Sequence, residues 1–136
     1  MSVQLNPYIN FKSDAAEAIK MYESALGAKV ENIMYWKDAP GDIPEDLKNR
    51  VMHCALRIGG NLLMLSDAPP NMPDNGHHGY GIAMQFDDAA AMSKAFDALA
   101  VGGKVTMPVS DAFWGSKFGM LTDKFGVEWM FNCPQK

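Results

Sequence analysis

Three histidines carry most of the acid–base and metal-binding potential of this 136-residue chain, because imidazole titrates near neutral pH and ligates transition metals. His53 lies in an alternating run from Val51 to Ile58, followed by Gly59-Gly60. A two-residue turn there makes a hairpin with 61–66. That register sets His53 opposite Ser66, Ala55 opposite Met64 and Arg57 opposite Leu62, all on one sheet face. His53 is thus the candidate catalytic residue, as a general base, an anion contact or a ligand. It equally fits a histidine that hydrogen-bonds Ser66 and fills a cavity floor. His77 and His78 stand side by side in the Pro/Gly/Asn-rich stretch 67–79, where adjacent histidines more often meet water than metal.

Strand parity supplies further candidates for ligand binding. Asn6, Tyr8 and Asn10 alternate with Ile9 and Phe11 and offer amide and phenol hydrogen bonds. Arg57 suits an anionic ligand or a neighbouring carboxylate. Met64 and Ser66 share the face of His53, and Met130 shares its face with Glu128 and Asn132. Trp36, Trp114 and Trp129 could line an aromatic pocket or fill the core, and Trp114 is the one placed among the ligand contacts. Cys54 and Cys133 are too few and too far apart for a zinc knuckle or a CxxC pair, so they read as reduced, part-buried thiols. The eleven methionines fall mainly at core positions. No MxxM-like cluster marks an exposed copper site.

Several function classes are excluded. Twelve basic residues against sixteen acidic ones give a net charge of −4, and no basic stripe exists to neutralise phosphates, so nucleic acid is not an expected partner. Neither a cationic leader followed by an apolar run nor any stretch of ~18 apolar residues is present, so a cytoplasmic protein without a membrane partner is expected. P-loop, GxSxG, HExxH and GxGxxG patterns are all missing.

The elements that must position these residues come from an internal repeat. Phe11-Lys12-Ser13-Asp14-Ala15-Ala16 through Gly27-Ala28-Lys29-Val30 recurs without a gap, 75 residues on, from Phe86 to Val105. Gly60 through Leu65 recurs at an offset of 66, from Gly126 to Phe131. Each copy opens with a strand. A helix follows: Asp14 and Glu17 form a capping-box pattern, Ala15, Ala18, Ile19, Tyr22 and Leu26 make its apolar stripe, and Gly27 closes it. In the second copy Asp88 opens the helix, Met92, Ala95, Phe96 and Leu99 form the stripe, and Gly102-Gly103 ends it. Three strands are predicted after each helix, at 29–36, 51–58 and 61–66, then at 104–109, 114–122 and 127–132. The expectation is one α+β domain of two βαβββ modules, 1–67 and 79–136, joined by a connector at 68–78. Each module has one helix-covered sheet face and one open face, and the pair encloses a concave cavity. The polar insertion 37–50 borders its mouth, as a lid or as a mobile surface loop.

Over nearly its whole length the chain resembles the PhnB-like branch of the vicinal-oxygen-chelate superfamily, which includes glyoxalase I, ring-cleaving dioxygenases and bleomycin-resistance proteins. The match is carried by Pro7-Tyr8-Ile9-Asn10-Phe11, Leu56-Arg57-Ile58-Gly59-Gly60, Leu63-Met64-Leu65-Ser66-Asp67, Phe113-Trp114-Gly115 and the run from Leu121 to Trp129. The resemblance implies the glyoxalase/bleomycin-resistance fold. In its metal-dependent members it also implies a divalent ion held by a His or Gln near the start of each first strand and a Glu on each last strand. Those positions fall on Asn6, Gly81, Met64 and Met130, none of them a hard anionic or imidazole ligand. The expected function is therefore binding of a small molecule without metal or other cofactor. The alternative is a metal-dependent lyase or dioxygenase-type enzyme using relocated ligands such as His53. A homodimer is expected, as is common in the superfamily. The demethylubiquinone methyltransferase label often given to this branch finds no support here, for want of a Gly-rich adenosyl-binding turn.

Overall fold

The computed structural model describes residues 3–68 and 76–135, and part of the connector, 69–75, lies outside the described residues. The chain divides into two compact units, Met1–Asn75 and Gly76–Lys136. Unit 1 holds β1 (Tyr8–Phe11), α1 (Ala15–Leu26), β2 (Lys29–Tyr35), β3 (Val51–Ile58) and β4 (Asn61–Asp67), with a 3-10 turn at Trp36–Asp38. Unit 2 repeats the order with β5 (Ile82–Gln85), α2 (Ala89–Leu99), β6 (Lys104–Asp111), β7 (Ser116–Thr122) and β8 (Glu128–Pro134). The sheets are ordered β1-β4-β3-β2 and β5-β8-β7-β6. In each, the first strand runs parallel to the last and the other pairs are antiparallel.

Helix stripes and strand parity explain which face is buried. Ala15, Ala18, Ile19 and Tyr22 are buried on α1, as are Met92, Ala95, Phe96 and Leu99 on α2. They meet the strand residues of one parity: Ile9, Phe11, Cys54, Leu56, Leu63 and Leu65 are buried in unit 1, and Leu121, Trp129 and Phe131 in unit 2. Phe96 meets Phe131 edge to face at 5.5 Å between ring centres. Residues of the other parity face away from the helix, which is the one-sided pattern of a half-buried sheet.

Two differences from the sequence expectation bear on the candidate site and on the start of α1. The first strand begins at Tyr8, so Asn6 precedes it. At α1, Asp14 occupies the N-cap position without a side-chain capping bond. The first-turn N–H of Ala15 donates instead to Asp67 Oδ1 at 2.9 Å, and Val51 N donates to Asp67 Oδ2 at 2.9 Å. One buried carboxylate therefore fastens the helix start to the start of β3, a substitute for the local cap. Asp88 caps α2 as expected, accepting from Ala90 N at 3.1 Å.

Unit 2 uses Asp123 for a different tie. Its Oδ1 accepts from Phe125 and Val127 N and its Oδ2 from the Trp129 indole, all within 3.0 Å, which locks the β7–β8 turn onto the core. Gly103 is required by close approach, since a β-carbon there would stand 2.2 Å from the Thr122 carbonyl oxygen. The insertion 37–50 is pinned at its base: Trp36 N donates to Arg50 O and Lys37 N to Lys48 O, while Leu47 is buried.

Asp67→Ala should leave both buried N–H groups without an acceptor. A loss of roughly 2–5 kcal/mol in unfolding free energy is expected from two unsatisfied donors, read by urea denaturation. A loss below about 0.5 kcal/mol, within the range of an ordinary surface change, would show that the carboxylate does not tie the helix to the sheet.

Candidate functional site

The open face of unit 1 carries short rows of side chains across its strands. Tyr8 pairs with Met64, and Met64 with Ala55. Asn10 pairs with Ser66, while Met34 pairs with His53 on the far side. The register of β3 with β4 is the one read from the Gly59-Gly60 turn, with Ala55 opposite Met64 and Arg57 opposite Leu62.

Polar side chains on this face bond to one another. The Tyr8 hydroxyl and His53 Nδ1 share a hydrogen bond of 3.1 Å, with the rings tilted at 33° and 5.7 Å apart. Ser66 Oγ donates to Asn10 Oδ1 at 3.2 Å. His53 thus takes Tyr8 as its partner, and Ser66 takes Asn10. Sequence spacing placed His53 and Ser66 as neighbours but could not reveal that β1, arriving parallel on the far side of β4, supplies the acceptors and hydroxyl they use. Tyr8 is 48% exposed and Ser66 is buried. A phenol beside an imidazole is a pair that can donate to, accept from or relay a proton to a bound carbonyl or hydroxyl.

Arg57 is bound to Glu31: Nε donates to Oε2 at 2.7 Å and Nη2 to Oε1 at 3.1 Å. This fork holds the Glu31 carboxyl below its usual pKa and raises that of Arg57. The Glu31 contribution is therefore present above the ordinary carboxylate range and fades as pH falls through it. Both partners are about half exposed, where such pairs contribute little to stability.

The corresponding face of unit 2 is aromatic and sulfur-rich. Met130 pairs with Ala83 and Met120, and Asn132 pairs with Gln85 and Phe118. Trp114, 52% exposed, donates from its indole to Asn132 Oδ1 at 3.4 Å and meets Phe118 edge to face. Trp129, in contrast, is a core residue. His77 Nδ1 and the Tyr80 hydroxyl share a bond of 2.8 Å, and burial together with Glu128 and Asp123 raises the Tyr80 pKa. Cys54 is buried and its thiol is pushed up to about 11 by desolvation and then by Glu23, so it stays protonated and unreactive at neutral pH. Cys133 is buried too.

The four positions where metal-dependent relatives would hold a divalent ion do not fit one. Met64 faces Tyr8 and Ala55 across the strands. Gly81 offers no donor, and a β-carbon there would meet the Met130 methyl at 3.4 Å. Thioethers are soft donors and a lone Asn6 amide is a weak one. Among the described residues no group of three or more His, Cys, Asp or Glu gathers to hold a metal.

Two βαβββ units with this strand order define a protein of the glyoxalase fold, and comparison with known families agrees. The chain belongs to the Glyoxalase/Bleomycin resistance protein/Dioxygenase superfamily, whose family model matches residues 4–131. It is 30% identical to protein YjdN of Escherichia coli strain K12 over 142 residues, covering 97% of this chain and 96% of that one. The crystal structure of protein PA1353 from Pseudomonas aeruginosa is 41% identical, covers 99% of this chain and 100% of its own, and superposes with a TM-score of 0.90. A PhnB protein from Bacillus cereus, labelled a 3-demethylubiquinone-9 3-methyltransferase, shares the fold at a TM-score of 0.79 and 23% identity, with 96% and 99% of the two chains covered. Among the described residues no helix is long and apolar enough to cross a membrane.

Proposed function

We propose that the chain is a PhnB-like small-molecule-binding protein of this superfamily that works without a divalent metal ion or other cofactor. The binding site we assign is the open face of unit 1, with Tyr8, Asn10, His53, Met64 and Ser66 as contacts and His53 as the acid–base residue. The observation that carries this reading is the pair of polar contacts Tyr8–His53 and Asn10–Ser66 on a sheet face that no helix of its unit covers. Bonded polar groups set among Met64, Ala55 and Met34 can orient a ligand with one or two hydrogen bonds while the methionines cover its apolar part. In unit 2, Trp114 and Met130 are assigned as further contacts on the equivalent face. Arg57 joins the site only for a ligand whose anion competes with Glu31, and Asn6 only through the segment before β1.

A cytoplasmic homodimer is part of the same proposal. The edge strands β2 and β6 present largely exposed residues along their length, and open sheet edges favour an isologous two-fold contact. Light scattering at micromolar concentration should report about twice the chain mass, and a particle of one chain mass would reject the dimer.

The site itself is tested by thermal melts of His53→Leu and Ser66→Ala, with and without the best binder from a metabolite screen. His53→Leu should melt within about 2 °C of the parent, or above it, because a partly exposed imidazole on a sheet face gives little stability, and should lose the ligand-induced shift. Ser66→Ala should weaken the shift by breaking the bond that orients Asn10. A lower melting temperature with the ligand shift unchanged would make these residues structural and overturn the reading.

A further inference from the structure

Strand register assembles in unit 2 a feature that no local motif announces. Met107 on β6 pairs with Met120 on β7, and Met120 pairs with Met130 on β8. The three methionines form one lateral row across three adjacent strands, on the face turned away from α2. Paired residues on neighbouring strands have β-carbons roughly 4.5–5.5 Å apart, so three long, unbranched side chains can bring their sulfurs together above Met120. All three are partly open: Met107 is 45% exposed, and Met120 and Met130 are intermediate.

The neighbouring backbone sets where the row stands. Gly119 holds β7 against the helix so closely that a β-carbon there would stand 3.0 Å from the Phe96 ring and 2.8 Å from Val109. Register shifts flank Met107 on both sides, after Val105 and before Ser110, the kind of irregularity that re-aims one side chain of an edge strand. The Met130 side chain lies toward β5, its Cγ and methyl within 4 Å of where a Gly81 β-carbon would stand, so it turns back across β8 to join Met120 when an ion binds. The chain also contains its own comparison, since the equivalent row of unit 1 is Asn32, Ala55 and Met64, with a single thioether.

We infer that Met107, Met120 and Met130 form a site for a soft monovalent cation, Cu(I) or Ag(I). Three neutral, polarisable thioethers match a d10 monovalent ion and discriminate against Mg, Mn and Zn, which call for oxygen, imidazole or thiolate. The absence of an MxxM-like segment argued against copper from sequence alone, and the row arises because three distant methionines meet only through strand pairing. The row shares Met130 with the small-molecule contacts proposed in unit 2, but titration with a soft ion reads it whether or not that proposal holds.

The test is titration of the reduced, metal-free chain with Ag(I), a redox-inert stand-in for Cu(I), followed by native mass spectrometry and by NMR of 13C-methyl methionine. One equivalent should bind, and the methyl signals of Met107, Met120 and Met130 should move together while those of Met34 and Met64 stay in place. Met120→Leu, which keeps the apolar volume, should weaken binding at least tenfold with the melting temperature little changed. If that variant misfolds, Met107→Leu at the exposed edge strand should show the same loss. Unchanged silver binding in a folded leucine variant, methyl signals that do not move, or silver found only on Cys54 and Cys133 would each overturn the site. Stoichiometric binding of Zn(II) at the row would do so as well.

Discussion

Each unit has one helix for a four-stranded sheet, and a helix can bury only one face. Everything else follows from that one-sided burial. Residues of one parity, such as Leu56, Leu65, Trp129 and Phe131, are drawn under α1 or α2. The other parity is released from the packing constraint and can carry groups that a core would reject. Tyr8, Asn10, His53 and Ser66 on one sheet, and Met107, Met120, Met130 and Trp114 on the other, occupy that released parity. The two faces have diverged in chemistry although the backbone repeats: hydrogen-bonding in the first unit, sulfur and aromatic in the second.

Buried carboxylates fasten each unit at a different point: Asp67 holds the start of α1, and Asp123 holds the β7–β8 turn, while α2 keeps its local Asp88 cap. Asp67 and Asp123 are nearly inaccessible, yet both accept from N–H donors: Asp67 from the starts of α1 and β3, and Asp123 from Phe125, Val127 and Trp129 of its own hairpin. Burial raises the Asp67 pKa, while the bonds from Ala15 and Val51 oppose that rise. Its protonated form is therefore favoured by folding, and its titration stabilises the fold at low pH and subtracts from it as pH rises through the shifted value. A charge costing that much to bury persists because removing it would leave two buried donors without acceptors.

How far the fold was legible depended on the range of the signal. The apolar stripes of both helices apart from Leu26, the Gly27 terminus at φ 67° and the β3–β4 register from Cys54 to Ile58 are local and were readable. The same local signals misplaced the cap of α1, because Asp14 looks like a capping residue while the actual acceptor, Asp67, comes from the end of β4. The site shows the same division. Parity alone put His53, Ala55, Met64 and Ser66 on one face, but the partners Tyr8 for His53 and Asn10 for Ser66 depend on a parallel strand arriving from the other end of the unit. Glu31 as the partner of Arg57 was unreadable because it sits where β2 shifts register between Val30 and Asn32. The methionine row was invisible for a like reason, with one member contributed by each of three strands.

The proposed metal-free site rests on these observations together, since the positions that would hold a hard ion carry Asn6, Gly81, Met64 and Met130 while hydrogen-bonding groups stand on the open face of unit 1. Native mass spectrometry of the protein purified without added metal tests this most directly. The expected spectrum shows the chain with a co-purified organic molecule whose mass increment disappears in Tyr8→Phe and His53→Leu, and without a stoichiometric Mg, Mn, Fe, Ni or Zn ion. A full equivalent of one of those ions, lost when His53 is replaced by Ala, would contradict it.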